Sequence, residues 1–120
     1  MQLKYILTKN NISIAELTDE SFVISQPQDV LDIFGELMST YCDRIIIHER
    51  NLHPDFFDLK TGLAGEVLQK FSNYKVRLVI VGDFAKYKSQ SLQNFIFESN
   101  KSKRVFFTDN ISSAMLHIEF

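Results

Sequence analysis

Cysteine is nearly absent from this chain, and no apolar run approaches the length of a membrane span. Cys42 has no second thiol with which to form an internal disulfide, and no Cys/His spacing matches a structural zinc site. The longest apolar runs, at 45–47 and 78–81, fall far short of the roughly 20 residues that cross a bilayer. We therefore expect no disulfide framework, no membrane association, no metal ion and no cofactor.

Excess charge and a secretory leader are missing as well. The formal net charge of −2 gives no general attraction for nucleic acid or for anionic membranes, so we expect neither as a partner. Near the start, Lys4 lies within a polar–apolar alternation instead of preceding an apolar run, which is a poor signal peptide. These absences favour a cytoplasmic location. At 120 residues and 45% hydrophobic composition, the chain matches one domain with one core, spanning residues 1–120.

The hydrophobic pattern predicts a β-hairpin followed by alternating helices and strands. Leu3, Tyr5 and Leu7 alternate with polar residues, and a polar turn separates them from a second alternating segment at 12–17. Later strands are predicted at 44–49, 76–81 and 104–107, and helices at 25–41, 61–71, 89–100 and 110–118. The fold class is therefore α/β, with a mixed sheet of about five strands whose central members, 45–47 and 78–81, are neighbours.

The first helix carries a sequence pattern typical of an N-terminal cap. Ser25 fits the N-cap, Gln28 fits the reciprocal position of a capping box, and Pro27 fits an early helical position. Apolar residues then recur every three or four positions, which predicts one stripe facing the core. The members of this stripe are Val30, Leu31, Phe34, Leu37, Met38 and Tyr41.

Polar residues that follow the central strands are the candidates for a binding site. In open α/β sheets, ligands bind beyond the carboxyl ends of the strands. Those positions, with the loop after the strand at 44–49, select Glu49, Asp58, Lys60, Thr61, Gly62 and Asp83. A carboxylate beside a lysine could perform acid–base chemistry if burial shifted their pKa values. No complete catalytic constellation is present, so no catalytic residue is assigned, and the spacing of His48 and His53 does not match a metal motif.

Gly62 and Gly65 lie at the start of the predicted helix at 61–71, where a glycine costs about 1 kcal/mol relative to alanine. Two structural explanations are close approach of this helix to the sheet and a bend at its first turn. The functional explanation is a flat surface of small residues that admits a ligand or another backbone.

The continuous run from His48 to Gly65 resembles the signature of a bacterial family described only as a domain of unknown function (DUF4180). Shorter pieces at 81–84, 87–89 and 98–101 are similar to the same family, so the resemblance extends over nearly the whole chain. It implies membership of that family and supplies no chemistry.

The order of strands and helices also resembles STAS domains, the fold of anti-sigma-factor antagonists. In those domains a strand leads to an Asp-Ser-Ser-Gly-Leu helix start, whose first serine is phosphorylated and whose helix docks on a partner kinase. Aligning that motif on Gly62 places Thr61 at the second serine and Lys60 at the phosphorylated one. The resemblance implies the fold and the docking helix, whereas a lysine cannot accept phosphate in that way.

These observations favour a non-enzymatic interaction or regulatory module. Its predicted partner is a protein, bound through the 58–65 segment, and the sequence predicts no oligomeric state. The alternative is a small-molecule-binding or enzymatic site at the carboxyl ends of the central strands, centred on Glu49, Asp58, Lys60 and Asp83.

Overall fold

The computed structural model describes residues 1–119, which form a single sheet with helices on both faces. The elements in chain order are β1 (Leu3–Leu7), β2 (Ser13–Leu17), α1 (Val30–Ser39), β3 (Arg44–His48), α2 (Leu63–Asn73), β4 (Arg77–Val81), α3 (Gln90–Asn100), β5 (Val105–Thr108) and α4 (Ile111–Glu119). Short 3₁₀ turns precede α1 (Pro27–Asp29) and connect β3 to α2 (Glu49–Asn51, Pro54–Phe57 and Leu59–Thr61).

The strands lie side by side in chain order, β1-β2-β3-β4-β5. β1 and β2 form the predicted antiparallel hairpin, and the later pairs are parallel, which confirms the mixed α/β sheet. Because every parallel crossover advances in the same direction, right-handed connections place all their helices on one face. Accordingly α1, α2 and α3 pack into one cluster, while α4 covers the opposite face.

The central strands supply both halves of the core. Ile45 lies opposite Leu78 in the register, facing the three-helix side, and Ile46 lies opposite Val79, facing α4. All four side chains are buried. The prediction that 45–47 and 78–81 are neighbouring central strands is therefore confirmed, and the absence of alternation is explained by burial on both faces.

The predicted start of α1 is wrong in its details. The acid of the capping arrangement is Asp29, whose carboxylate accepts hydrogen bonds from the backbone amides of Ser25 (2.9 Å) and Gln26 (3.1 Å). Gln26 occupies the cap of the 3₁₀ turn, so Ser25 is not the cap and Gln28 is not its partner. The carboxylate of Asp29 satisfies two backbone amides with one side chain, as the third-position acid of a capping box does.

The predicted apolar stripe of α1 is wider than the surface that the sheet covers. Val30, Phe34 and Leu37 are buried as predicted, whereas Met38 is 65% exposed and Tyr41 is 95% exposed. Helical spacing alone cannot tell how much of a stripe the neighbouring elements reach.

The helices α1 and α2 end in the same left-handed reversal. Tyr41 (φ 55°) and Lys75 (φ 58°) each occupy the position where glycine is usual. In each helix the amide of the next residue donates to a carbonyl of the last helical turn. In α1 this bond joins the Cys42 amide to the Leu37 carbonyl (2.8 Å), and in α2 it joins the Val76 amide to the Phe71 carbonyl (3.0 Å). Each non-glycine residue costs about 1–2 kcal/mol in this conformation.

Candidate functional site

Glu49 lies directly after β3 and collects hydrogen bonds from the loop that follows β4. Its Oε2 accepts from the Tyr87 hydroxyl (2.5 Å) and from Lys86 Nζ (2.8 Å). Its Oε1 accepts from the backbone amide of Asp83 (3.1 Å). Because β3 and β4 are parallel neighbours, their carboxyl ends lie at the same edge of the sheet. We call Glu49, Gly82, Asp83, Lys86 and Tyr87 the Glu49 cluster.

Gly82 makes the close approach in this cluster possible. A Cβ at this position would lie 2.6 Å from the Cβ of Glu49 and 2.8 Å from its Oε1. The amide of Gly82 donates to the Thr108 carbonyl at 3.0 Å, which fixes the backbone at the end of β4. A side chain here would therefore overlap the Cβ of Glu49, which cannot move without its backbone, as well as the flexible end of that side chain.

The electrostatics of the cluster favour one protonation state. Burial raises the pKa of Glu49, but hydrogen bonds from Lys86, Tyr87 and the Asp83 amide outweigh burial, so the net pKa is lowered. The hydrogen bond to Glu49 raises the pKa of Lys86. Burial and then that carboxylate raise the pKa of the Tyr87 phenol. All three shifts move away from neutrality, which makes these groups poor general acids and bases at pH 7.

Aromatic rings fill much of this edge of the sheet. Phe57 stacks on Tyr87 with ring centroids 4.9 Å apart, and Phe84 packs edge-on against Phe107 at 5.3 Å. Beside them lies an open cleft of about 330 Å³, at the lower end of the range for ligand sites. The strand order does not reverse within the described chain, so the usual crevice of open α/β sheets does not arise at a switch point.

The 58–65 segment consists of an exposed turn at 58–62 and the first residues of α2, of which Leu63 and Ala64 are buried. The Asp58 carboxylate accepts from the Lys60 amide at 3.3 Å. The Thr61 hydroxyl shares its hydrogen between the carbonyls of Asp55 (2.7 Å) and Asp58 (2.9 Å). Gly62 adopts a left-handed φ of 78°, so the predicted bend at the first turn lies here. These bonds fix the backbone, while the side chains of Asp58, Lys60 and Thr61 remain exposed.

The structure divides the six candidate residues into two groups. Glu49 and Asp83 come together in the Glu49 cluster. The other four, Asp58, Lys60, Thr61 and Gly62, lie in the exposed turn, and across residues 1–119 none of them hydrogen-bonds to the Glu49 carboxylate. Glu49 and Lys60 therefore share no hydrogen bond that would couple their protonation.

The explanation of Gly65 by close approach to the sheet is wrong. A Cβ added there would meet nothing within 4 Å, and the residue is exposed. Gly65 instead borders an open groove of about 710 Å³ between the turn before α1, at Pro27 and Gln28, and the outer face of α2, at Glu66 and Gln69. The missing side chain leaves the floor of this groove accessible.

The two histidines of the loop region serve different local contacts. His48 Nε2 lies 2.7 Å from Glu16 Oε2, and His53 Nδ1 accepts from the Asp55 amide at 3.0 Å. Residues 1–119 contain no group of three His, Cys, Asp or Glu side chains that could hold a metal ion. In the same range, no helix has the length and apolar character needed to cross a membrane.

Sequence reasoning missed Lys86 and Tyr87 as partners of Glu49, and it missed Asn51. Asn51 is fully buried, donates to the carbonyls of Asp19 (2.8 Å) and Ser21 (3.1 Å), and accepts from the His48 amide (3.1 Å). These bonds fix the turn that carries Glu49. The adjacency of the predicted strands could have placed the loop after β4 next to Glu49, but no local pattern marks Asn51.

Comparison with known proteins gives one match. The family model described as "Domain of unknown function (DUF4180)" matches residues 9–118. No curated protein matches the chain, and no solved structure matches it.

Proposed function

This chain belongs to the DUF4180 family, and we propose that it works as a non-enzymatic interaction or regulatory module whose partner surface is the 58–65 segment. One observation carries the proposal. The candidate residues of this segment are exposed on a backbone that its own hydrogen bonds hold fixed, whereas the candidates at the sheet edge bond to one another.

A fixed and exposed turn favours binding because little conformational entropy is lost when a partner docks. The Thr61 hydroxyl holds the backbone, and Gly62 supplies the left-handed bend. Lys60 contributes only its backbone amide to the turn, so its side chain is available to a partner. The turn therefore presents the charged side chain of Lys60 from a fixed backbone position.

The groove beside Gly65 extends this surface. Gln28 and Gln69 line it with side-chain amides, which can both donate to and accept from a peptide backbone. The absence of a side chain at Gly65 admits a close approach. The occupant that fits is an extended, polar segment of a partner protein, with an acidic residue facing Lys60.

The Glu49 cluster supports the non-enzymatic reading. Every oxygen of its carboxylate is already engaged by a donor, and the pKa shifts hold the cluster in one ionisation state. We interpret the cluster as a structural contact that holds the loop after β4 against the end of β3. The resemblance to STAS domains, in which a helix start docks on a partner, stays a prediction, as do the bacterial source and the cytoplasmic location.

A charge reversal tests the partner surface. The variant Lys60→Glu is compared with wild type and with Lys88→Glu, an exposed lysine outside the segment, after thermal melts show stability within about ±0.5 kcal/mol. Each tagged protein is used to capture proteins from the native extract, with quantification by mass spectrometry. We expect a partner retained by wild type and Lys88→Glu to fall at least about tenfold with Lys60→Glu. Equal capture by all three proteins would contradict the assignment.

A second candidate function rests on the open cleft beside the Glu49 cluster. Glu49 also lines this cleft and offsets the charge of Lys86. Arg50, together with the rings of Phe22 and Phe57, would then bind a small anionic molecule with a flat apolar part. A metabolite panel should then contain a compound that raises the melting temperature of wild type by mass action and fails to do so with Arg50→Ala. A panel without such a compound would remove this candidate.

A further inference from the structure

Strand β1 lies at one edge of the sheet and pairs with β2 alone. Its residues can be divided into those whose backbone N–H and C=O groups point to β2 and those whose groups point away from the sheet. The hydrogen bonds from Thr18 N to Gln2 O and from Thr8 N to Ile12 O, both 3.0 Å, fix the phase of the β1–β2 ladder. In an antiparallel pair, alternate residues direct both backbone groups to the partner strand and the others direct both away. The residues that direct both groups outward are Leu3, Tyr5 and Leu7.

The same edge exposes apolar side chains. Tyr5 is 40% exposed and Leu7 is 68% exposed, on the face that α1 shares. The end of α1 adjoins them, because the Thr40 hydroxyl lies 3.1 Å from the Tyr5 hydroxyl. Here Tyr41 is 95% exposed and Met38, three positions earlier on the helix, is 65% exposed. We call Tyr5, Leu7, Met38 and Tyr41 the edge patch.

We propose that the edge patch binds a second copy of this chain, through antiparallel pairing of β1 with β1 about a two-fold axis at Tyr5. In this register Tyr5 faces Tyr5 of the second copy, and Leu3 faces Leu7 of the second copy. Each of these is a hydrogen-bonded pair, because these residues carry the outward backbone groups. The result is one continuous sheet through both copies.

The proposed register is self-complementary in charge. Lys4 faces Ile6 of the second copy, so the single charged residue of β1 does not oppose itself. The side chain of Lys4 lies on the α4 face, next to Glu16 in the β1–β2 register, away from the edge patch. A lysine side chain usually protects an edge strand, but in this register the charge of Lys4 meets no second cation and lies beside Glu16.

The exposed area suits a reversible dimer. From the 150–250 Å² that an aromatic side chain can bury, the four exposed side chains offer on the order of 500 Å² per copy. Two copies then reach roughly 1,000 Å², the lower limit for a specific interface. We therefore expect a dissociation constant in the micromolar range.

Tyr41 is the most exposed side chain of the edge patch. Nearly all of it is in solvent, and its left-handed backbone is the helix-end conformation that Lys75 shares. Tyrosine is enriched among the residues that contribute most of the binding energy at protein interfaces. This inference does not rest on the proposed function, since the edge patch contains no residue of the 58–65 segment.

Charge substitution at the two-fold axis tests both the dimer and its register. Sedimentation velocity measures the oligomeric state of wild type, Tyr5→Lys, Tyr5→Glu and their equimolar mixture at roughly 100 µM and in dilution. We expect wild type to dimerise, each single variant to lose at least about tenfold in affinity, and the mixture to recover a 1:1 dimer because lysine then faces glutamate. The control Phe97→Lys replaces a 63% exposed ring on α3, outside the edge patch, and should leave dimerisation unchanged.

Three outcomes would overturn the proposal: a monomeric wild type at that concentration, dimers that persist in both single variants, and a mixture that fails to recover. If the charged variants do not fold, disulfide trapping replaces them. Tyr5→Cys should form a cross-linked dimer on mild oxidation, because facing Cα atoms in this register lie about 5.5 Å apart. Leu7→Cys, which faces Leu3 and not itself, should not, and equal cross-linking of both variants would refute the register.

Discussion

Replacing glycine by alanine should have opposite effects at Gly82 and Gly65. At Gly82 the added Cβ would lie 2.6 Å from the Cβ of Glu49, an atom that cannot move without its backbone. At Gly65 the added Cβ would meet nothing within 4 Å on the exposed face of α2. The same chemical change is therefore an overpacking in one place and a gain of helix propensity in the other.

The magnitudes follow from these two surroundings. Overpacking at Gly82 costs about 1–3 kcal/mol, and displacement of the Glu49 carboxylate from the Asp83 amide adds about 1 kcal/mol. Gly65→Ala should stabilise the protein by about 0.5–1 kcal/mol, since alanine loses less backbone entropy in a helix. The two variants should thus differ by about 2–5 kcal/mol in the free energy of unfolding.

Urea denaturation followed by circular dichroism measures both free energies. For a domain of this length, each kcal/mol corresponds to a shift of roughly 4 °C in melting temperature, which gives a second reading. A Gly82→Ala protein as stable as wild type would refute the close approach of β4 to Glu49. Destabilisation by Gly65→Ala would refute the open groove.

Three further predictions concern charge, backbone strain and the core. The lowered pKa of Glu49 stabilises the fold above its ordinary pKa of 4.5, and this stabilisation is lost as the pH falls through the folded pKa. The stability advantage over Glu49→Gln should therefore shrink as the pH falls below about 4.5, and a constant difference in urea titrations would contradict the cluster. Lys75→Gly should relieve the left-handed strain and stabilise by up to about 1 kcal/mol, measured by thermal melting, with a clear loss speaking against the helix-end geometry. Ile46→Ala should cost about 2–5 kcal/mol because the side chain is fully buried, and a loss below about 1 kcal/mol would place it at an exposed edge.

The fold could be predicted from the sequence because each strand or helix carries its signal over its whole length, in several residues. The hairpin shows a clean alternation at Leu3, Tyr5 and Leu7, and the apolar runs of β3 and β4 indicate strands that are covered on both faces. Boundaries shifted where a single hydrogen bond decides them, as with Asp29 at the start of α1.

The site was only partly readable, because it depends on residues far apart in the chain. Glu49 and Asp83 were identified from the ends of strands, but Tyr87 reaches Glu49 across 38 positions, and no local pattern records such a contact. The exposure of Tyr41 was equally hidden, since helical spacing shows that residues share a stripe and not whether another element covers it.

The central claim, that the 58–65 segment is the partner surface, can be tested by one measurement of the isotope-labelled chain in native extract. Two-dimensional amide NMR spectra are recorded in the whole extract and in its low-molecular-weight filtrate. We expect the amides of residues 58–65 to shift or broaden more than amides elsewhere in the chain when the spectrum is recorded in the whole extract, because the partner contacts them there, and to keep their free positions in the filtrate. Unchanged signals at 58–65, together with shifts at Glu49 and residues 82–87 in the filtrate, would contradict it and assign a small-molecule site instead.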